Sequence, residues 1–345
     1  MRFVSHEGDW PSRTPFYSYA APEYATGHYS PVAVAVPALL LDNTVIELLY
    51  EGNAQNIHHR FSADASLLEA VDVNSGATAV HWAALFGHMQ VVQQLHGLGA
   101  RVDARAAASG MQPIHWAAVH GHLDVLQYLV EEAGASPHAV DEKHTTSLMI
   151  AAQYNHSRIV FYLARQWPDT LHLLDYDADS AVHWAAYKDS LQSLAMLCNF
   201  GLDPATQDNF GSTALHLAVS RRARRCIKWL LGHEAAPKML AVLDSKGRTP
   251  VMLAAEGGDS VVISLVKDFA ERLANPAAAG SLYNRVLDAE HSLLSVSLFT
   301  WNHALEMTES VRNQAVQALG IDNGRRPRAR GGLAMAVAPL APAME

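Results

Sequence analysis

One phrase, repeated at nearly constant spacing, constrains this chain more than any other feature. ATAVHWAALFGH at 77–88 returns as MQPIHWAAVHGH at 111–122, TTSLMIAAQYNH at 145–156, DSAVHWAAYKDS at 179–190, STALHLAVSRRA at 212–223 and RTPVMLAAEGGD at 248–259. With the first histidine of the phrase as ruler, the six copies sit at His81, His115, Met149, His183, His216 and Met252, in steps of 34, 34, 34, 33 and 36 residues. A unit of that length holds two short helices and a turn. It cannot hide its own apolar face, so neighbours must stack into one continuous core.

Each unit carries its own punctuation. Thr78, Thr146, Ser180, Thr213 and Thr249 stand three residues before the ruler, where a hydroxyl can cap the first helix; Gln112 is the exception. Pro113 and Pro250 follow that slot, at the first helical position, where a missing N–H costs nothing. After the Ala-Ala pair the chain turns at Gly87, Gly121, Asn155 or Gly258. A second apolar face follows at helical spacing, as in Val91, Val92 and Leu95 or Val125, Leu126 and Leu129. Gly99-Ala100 and Gly134-Ala135 close their units.

These units resemble ankyrin repeats, whose hallmark is Thr-Pro-Leu-His-x-Ala-Ala in a helix-turn-helix unit; the likeness spans about residues 76–269. It implies an all-α, ankyrin-repeat solenoid of stacked helix-turn-helix units. The expected organisation is a disordered segment at 1–37, a degenerate capping repeat at 38–73, six repeats at 74–275, capping helices at 281–320 and a disordered tail at 321–345. The capping repeat rests on two apolar runs (Val45, Ile46, Leu48 and Leu49, then Ile57 and Phe61) around Gly52-Asn53. In such units the ruler histidine is structural and hydrogen-bonds between turns.

Composition narrows the function classes. A formal charge of -9 argues against a surface built for phosphate, and no nucleic-acid partner is expected. Cys198 and Cys226 are the only cysteines, too few for a disulfide framework. The longest apolar run, residues 32–41, is broken by Pro37 and is far shorter than the roughly 20 residues that span a bilayer. With Glu7 and Asp9 near its start the chain does not read as carrying a secretory signal, so a cytoplasmic location is expected. No phosphate loop, nucleophile elbow or zinc helix occurs. Ruler histidines on successive units lie about a helix width apart, too far to share a metal. The reading is therefore non-enzymatic, with no catalytic residue, cofactor or metal. Cys226 falls on a buried helix face. The arginine clusters at 221–228 and 325–330 leave a nuclear adaptor as one alternative.

A partner protein or peptide is expected on the concave side, and a monomer is expected. Slots four and five after the ruler, with the turn tips, present Phe86, His120, Tyr154, Tyr176, Tyr187, Lys188, Phe210 and Arg221. Large aromatics there are expected to face solvent, the composition of a binding hot spot. The order of units is also similar to the N-terminal ankyrin segment of the huntingtin-interacting DHHC protein S-acyltransferases, over about residues 43–231. It runs from VHWAALFGHMQVV through the long Ala-rich connector at 104–111, PIHWAAVHGHLDVLQYL and IAAQYNHSRIVFYL to STALHLAV. That resemblance implies recruitment of proline-containing unstructured motifs, with a tryptophan matching Trp116 and an asparagine whose place is taken here by Phe86. The family's cysteine-rich catalytic domain is not in this sequence, so the alternative reading is the substrate-recruiting ankyrin part of a DHHC-type palmitoyltransferase.

Overall fold

A computed structural model describes residues 40–274. The segments expected to be disordered at 1–37 and 321–345, the helices expected at 281–320 and the arginine cluster at 325–330 lie outside the described residues. Within them the chain forms helix pairs: α1 Asn43–Glu51 with α2 Ala54–Ala63, α3 Ala79–Phe86 with α4 Met89–Gly97, and α5 Pro113–His120 with α6 Leu123–Glu131. Then come α7 Ser147–Gln153 with α8 Ser157–Gln166, α9 Ala181–Tyr187 with α10 Leu191–Asn199, and α11 Ala214–Ser220 with α12 Arg224–Gly232. A short α13, Ala236–Ala241, precedes α14 Pro250–Gly257 and α15 Ser260–Ala274. Among the described residues the only β pairing is three isolated bridges.

The first helices of the pairs stack in chain order, α1 on α3, then α5, α7, α9, α11 and α14, as an inner layer. The outer layer packs α2 on α4, α4 on α6, α8 on α10, α10 on α12 and α12 on α15. Inner helices carry small side chains because two layers close over them. Ala83, Ala84, Ala117, Ala118, Ala151, Ala152, Ala185 and Ala186 are all buried, and alanine lets neighbouring helices approach while keeping high helix propensity.

Three kinds of polar ladder join neighbouring units. At the loop tips one backbone hydrogen bond crosses each gap from the α3–α4 pair onward: Ala108 N–H donates to Ser75 O (3.0 Å), Glu142 to Ser109 (3.1 Å), Tyr176 to Lys143 (3.2 Å), Asn209 to Asp177 (2.9 Å) and Ser245 to Phe210 (2.7 Å). The second ladder runs through the ruler. His81 Nδ1 accepts the Thr78 N–H, so the ring proton sits on Nε2, which donates to Met111 O of the following unit at 3.0 Å. His115 reaches Ala139 O, His183 Thr206 O and His216 Arg248 O in the same way. Where methionine replaces the ruler histidine, the threonine hydroxyl caps the helix instead, accepting from Met149 N–H at 3.2 Å and Met252 N–H at 3.3 Å. Gln112, the exception in the sequence, still forms the reciprocal cap with His115.

The third ladder lies where inner helix turns into outer helix. His88 Nε2 donates to Tyr50 O, His122 to Leu85 O and His156 to Val119 O, at 2.9, 2.9 and 2.8 Å. Each ring covers the glycine of the previous unit so closely that a Cβ on Gly52, Gly87 or Gly121 would meet it at 2.4–2.6 Å. From the fourth pair the chemistry changes. Asn155 and Asp189 take the glycine's left-handed conformation, with φ of 59° and 58°. Their side chains accept from the next outer helix, Asn155 Oδ1 from Ser193 N–H (3.1 Å) and Asp189 Oδ1 from Cys226 N–H (2.9 Å).

Candidate functional site

The inner layer decides which candidate side chains reach solvent. The ruler residue is buried in most units, and a residue four positions on lies on the same helix face. Slot four is accordingly buried at Leu85, Val119, Gln153 and Tyr187. The expectation that Tyr187 faces solvent is therefore corrected: it is 6% exposed and packs against Trp184 with ring centroids 5.9 Å apart. Slot five is one helical step further round and opens outward. Phe86 and Tyr154 are half-buried, while His120, Lys188 and Arg221 are exposed.

Trp116 is corrected as well. It is 1% exposed, set edge-on to Trp82 at 5.4 Å and to His81 at 5.3 Å, so its ring is part of the inter-helix seam. The reason is again helical register: the slot after the ruler points along the stack, and successive tryptophans meet there.

Tyr176 and Phe210 belong to another region. They sit at the loop tips that precede α9 and α11, so the length of an inner helix, roughly 10 Å, separates the tip row from slot five. Tyr176 is 66% exposed, with the His144 ring 5.3 Å away; Phe210 is half-buried. The structure thus brings Phe86, His120, Tyr154, Lys188 and Arg221 into one row and leaves Tyr176 and Phe210 in a second.

The row has two halves of different chemistry. In the first, each slot-five ring lies against the histidine of the third ladder: Phe86 on His88 (6.0 Å), His120 on His122 (6.1 Å) and Tyr154 on His156 (6.4 Å). Burial, then the neighbouring His122 and His156, hold His120 below its ordinary pKa, so its ring is neutral near pH 7. Tyr50 extends this half. It is 62% exposed and meets Phe86 edge-on at 5.1 Å. Sequence reasoning missed it because the first pair lacks the repeated phrase; the available signal was an aromatic two residues before Gly52, the counterpart of Gly87. In the second half Arg221 lies over the Tyr187 ring, 4.4 Å from its centroid, with Lys188 Nζ at 5.9 Å from the same centroid. Burial and the adjacent Arg221 charge pull the Lys188 ammonium below its ordinary range.

No group of three or more His, Cys, Asp or Glu side chains among the described residues is arranged to hold a metal ion. Burial, then the Asp189 charge, raises the pKa of the Cys226 thiol, the opposite of activation. No described helix is long and apolar enough to cross a membrane.

A stack of helix pairs joined by capping histidines, with an open row along its inner layer, is an all-α repeat solenoid of the kind that works by holding other proteins. Residues 38–141 and 182–275, more than half of the chain, match the pattern described as ankyrin repeats, in three copies, and the chain belongs to that family. One curated relative is "Putative palmitoyltransferase ZDHHC13" of Danio rerio, 32% identical over 126 residues that make up 36% of this chain and 19% of the relative. The chain therefore matches about a fifth of that protein's length. Among solved structures, the human ASB11 ankyrin repeat domain superposes with a TM-score of 0.56 at 19% identity, over 66% of this chain and 98% of that one, a likeness of fold. Ankyrin repeats are typically protein-interaction modules without catalysis of their own.

Proposed function

We propose that this protein is a non-enzymatic interaction module on the cytosolic side, and that it holds an extended segment of a partner protein along the slot-five row of Phe86, His120, Tyr154, Lys188 and Arg221, with Tyr50 at its head. The observation that carries the reading is the contrast within each inner helix: slot four is buried across α3, α5, α7 and α9, while slot five reaches solvent on each of them. Half-covered rings on a rigid backbone lose little side-chain entropy on binding, the property of hot-spot residues. The test is selection of binders from a random-peptide display library on the full chain. Representative peptides are then titrated against Phe86→Ala, His120→Ala and Tyr154→Ala, each checked for an unchanged unfolding midpoint. Loss of about 2 kcal/mol at two of these positions supports the row. Binders indifferent to all three place recognition elsewhere.

A second reading is favoured by the 32% identity to a protein named as a palmitoyltransferase: the module recruits substrates for a DHHC-type acyltransferase. Detection of the native gene product decides it. A membrane-sedimenting product longer than this chain supports recruitment, and a soluble product of this length removes it.

A further inference from the structure

Lys188 and Arg221 occupy slot five on consecutive inner helices, where the preceding units carry rings. Each ends its helix as the C-cap residue, and both cations gather on the single ring of Tyr187. The three arginines that follow Arg221 on this edge are already engaged. Arg222 donates to Gly257 O at 3.1 Å, Arg224 pairs with Asp259 at 2.9 Å and Arg225 with Asp189 at 3.1 Å. Asp189, next to Lys188 in the chain, is turned toward α12, where it accepts the Cys226 N–H. Lys188 and Arg221 are left side by side, exposed and without a carboxylate among the described residues. Two like charges held together disfavour each other. The ring face of Tyr187 and the negative ends of α9 and α11 offset that repulsion only in part.

Resting on the reading of the row as a peptide site, we infer that Lys188 and Arg221 together receive a carboxylate side chain of the partner segment: an Asp or Glu lies where that segment passes from α9 to α11. Guanidinium and ammonium donors converge there on one acceptor of opposite charge, the charge-assisted arrangement that is strongest and most selective. Register follows from the solenoid. Inner helices are spaced about 10 Å apart and an extended chain rises about 3.3 Å per residue, so the acidic residue stands about three to six positions along from the residue over Tyr154.

The test repeats the display selection on the full chain and on a Lys188→Glu, Arg221→Glu double variant. The wild type should enrich Asp or Glu at a fixed offset from an apolar position. The charge-reversed chain should lose those binders and enrich Lys or Arg at the same offset, an inversion that a merely helix-stabilising role for the two cations would not produce. A representative acidic peptide should bind about tenfold or more weakly to Lys188→Gln, Arg221→Gln, with a shallower salt dependence and an unchanged unfolding midpoint. Binders that need Phe86 and Tyr154 but show no acidic preference overturn this inference and leave the row standing. Binders indifferent to Phe86 and Tyr154, or no binders at all, overturn the row and the inference with it.

Discussion

Gly87 shows how much a single position carries. Its φ of +74° is a conformation that side-chain-bearing residues rarely adopt, and the space a Cβ would need is filled by His122, at 2.4 Å from Nδ1. Gly87→Ala should therefore cost about 2 kcal/mol or more in urea unfolding, since it adds backbone strain and displaces the ring that donates to Leu85 O. Gly99→Ala, at φ +96° with open space around it, should cost about 1 kcal/mol. The buried ionisable groups pull the acid response in two directions. Burial holds His81, His115 and His183 at about 4, below the ordinary histidine value of 6.5. The unfolded chain then binds protons between those values that the folded chain does not, so this share of stability is full above about 6.5 and is lost as pH falls toward 4. Asp175, raised to about 6 by burial, and Asp179, raised well above 3.8 by burial and the Asp175, Asp208 and Asp177 charges, act with the opposite sign: their penalty grows as pH rises. Unfolding of His115→Gln should show a weaker loss between pH 6.5 and 4 than the parent. The advantage of Asp179→Asn over the parent should increase from pH 4 to pH 7, because the Asp179 Oδ1 has no hydrogen-bond partner to reward its charge. Parallel profiles for variant and parent would refute either assignment. The ruler histidines and their structural role were legible from the repeated phrase. The aspartates were not read, although Asp141, Asp175, Asp208 and Asp244 recur eight residues before the ruler. Their work is local: each accepts backbone N–H groups two and four residues ahead and so shapes the loop tip.

At the scale of helices, the junctions between pairs are the informative places. In the first three pairs a glycine and a histidine of the next unit interlock. Later, a left-handed Asn155 or Asp189 caps the following outer helix through its side chain. Asp189→Ala removes the acceptor of the Cys226 N–H and the partner of Arg225 while keeping a strained backbone, so α12 should loosen at a cost of about 1–2 kcal/mol. Asp189→Asn keeps the acceptor and should cost clearly less; equal losses in chemical denaturation would show that the cap is not what matters. The turns at Gly87, Gly121 and Asn155 were visible in the sequence as breaks after the Ala-Ala pair. That two different latches lie behind one period was hidden, because the interacting side chains come from units about 37 residues apart.

Across the whole molecule every contact described is between neighbours or within a unit, so stability is expected to be distributed as in a one-dimensional array. Among the described residues the α14–α15 pair is the least covered: Met252 is 53% and Val261 44% exposed, and the ruler of α14 is a methionine, which lacks the ring that links the histidine-ruled units. Amide hydrogen exchange should be slowest in the inner helices α5 to α9 and fastest in α14 and α15. Uniform protection from α3 to α15 would show a single cooperative block instead.

The repeat phrase alone determined the helix pairs, their number per period and the stacked core, because those follow from periodicity and from the need of each pair to cover its apolar side. It also placed slot five near the surface. Which of two adjacent slots faces solvent was decided only in three dimensions. A helix advances about 100° per residue, so Tyr187 turns into the seam with the ruler histidine while Lys188 turns out. Sequence spacing marks both as the same helix end, and only the packing of the next unit against it separates a core ring from an open cation.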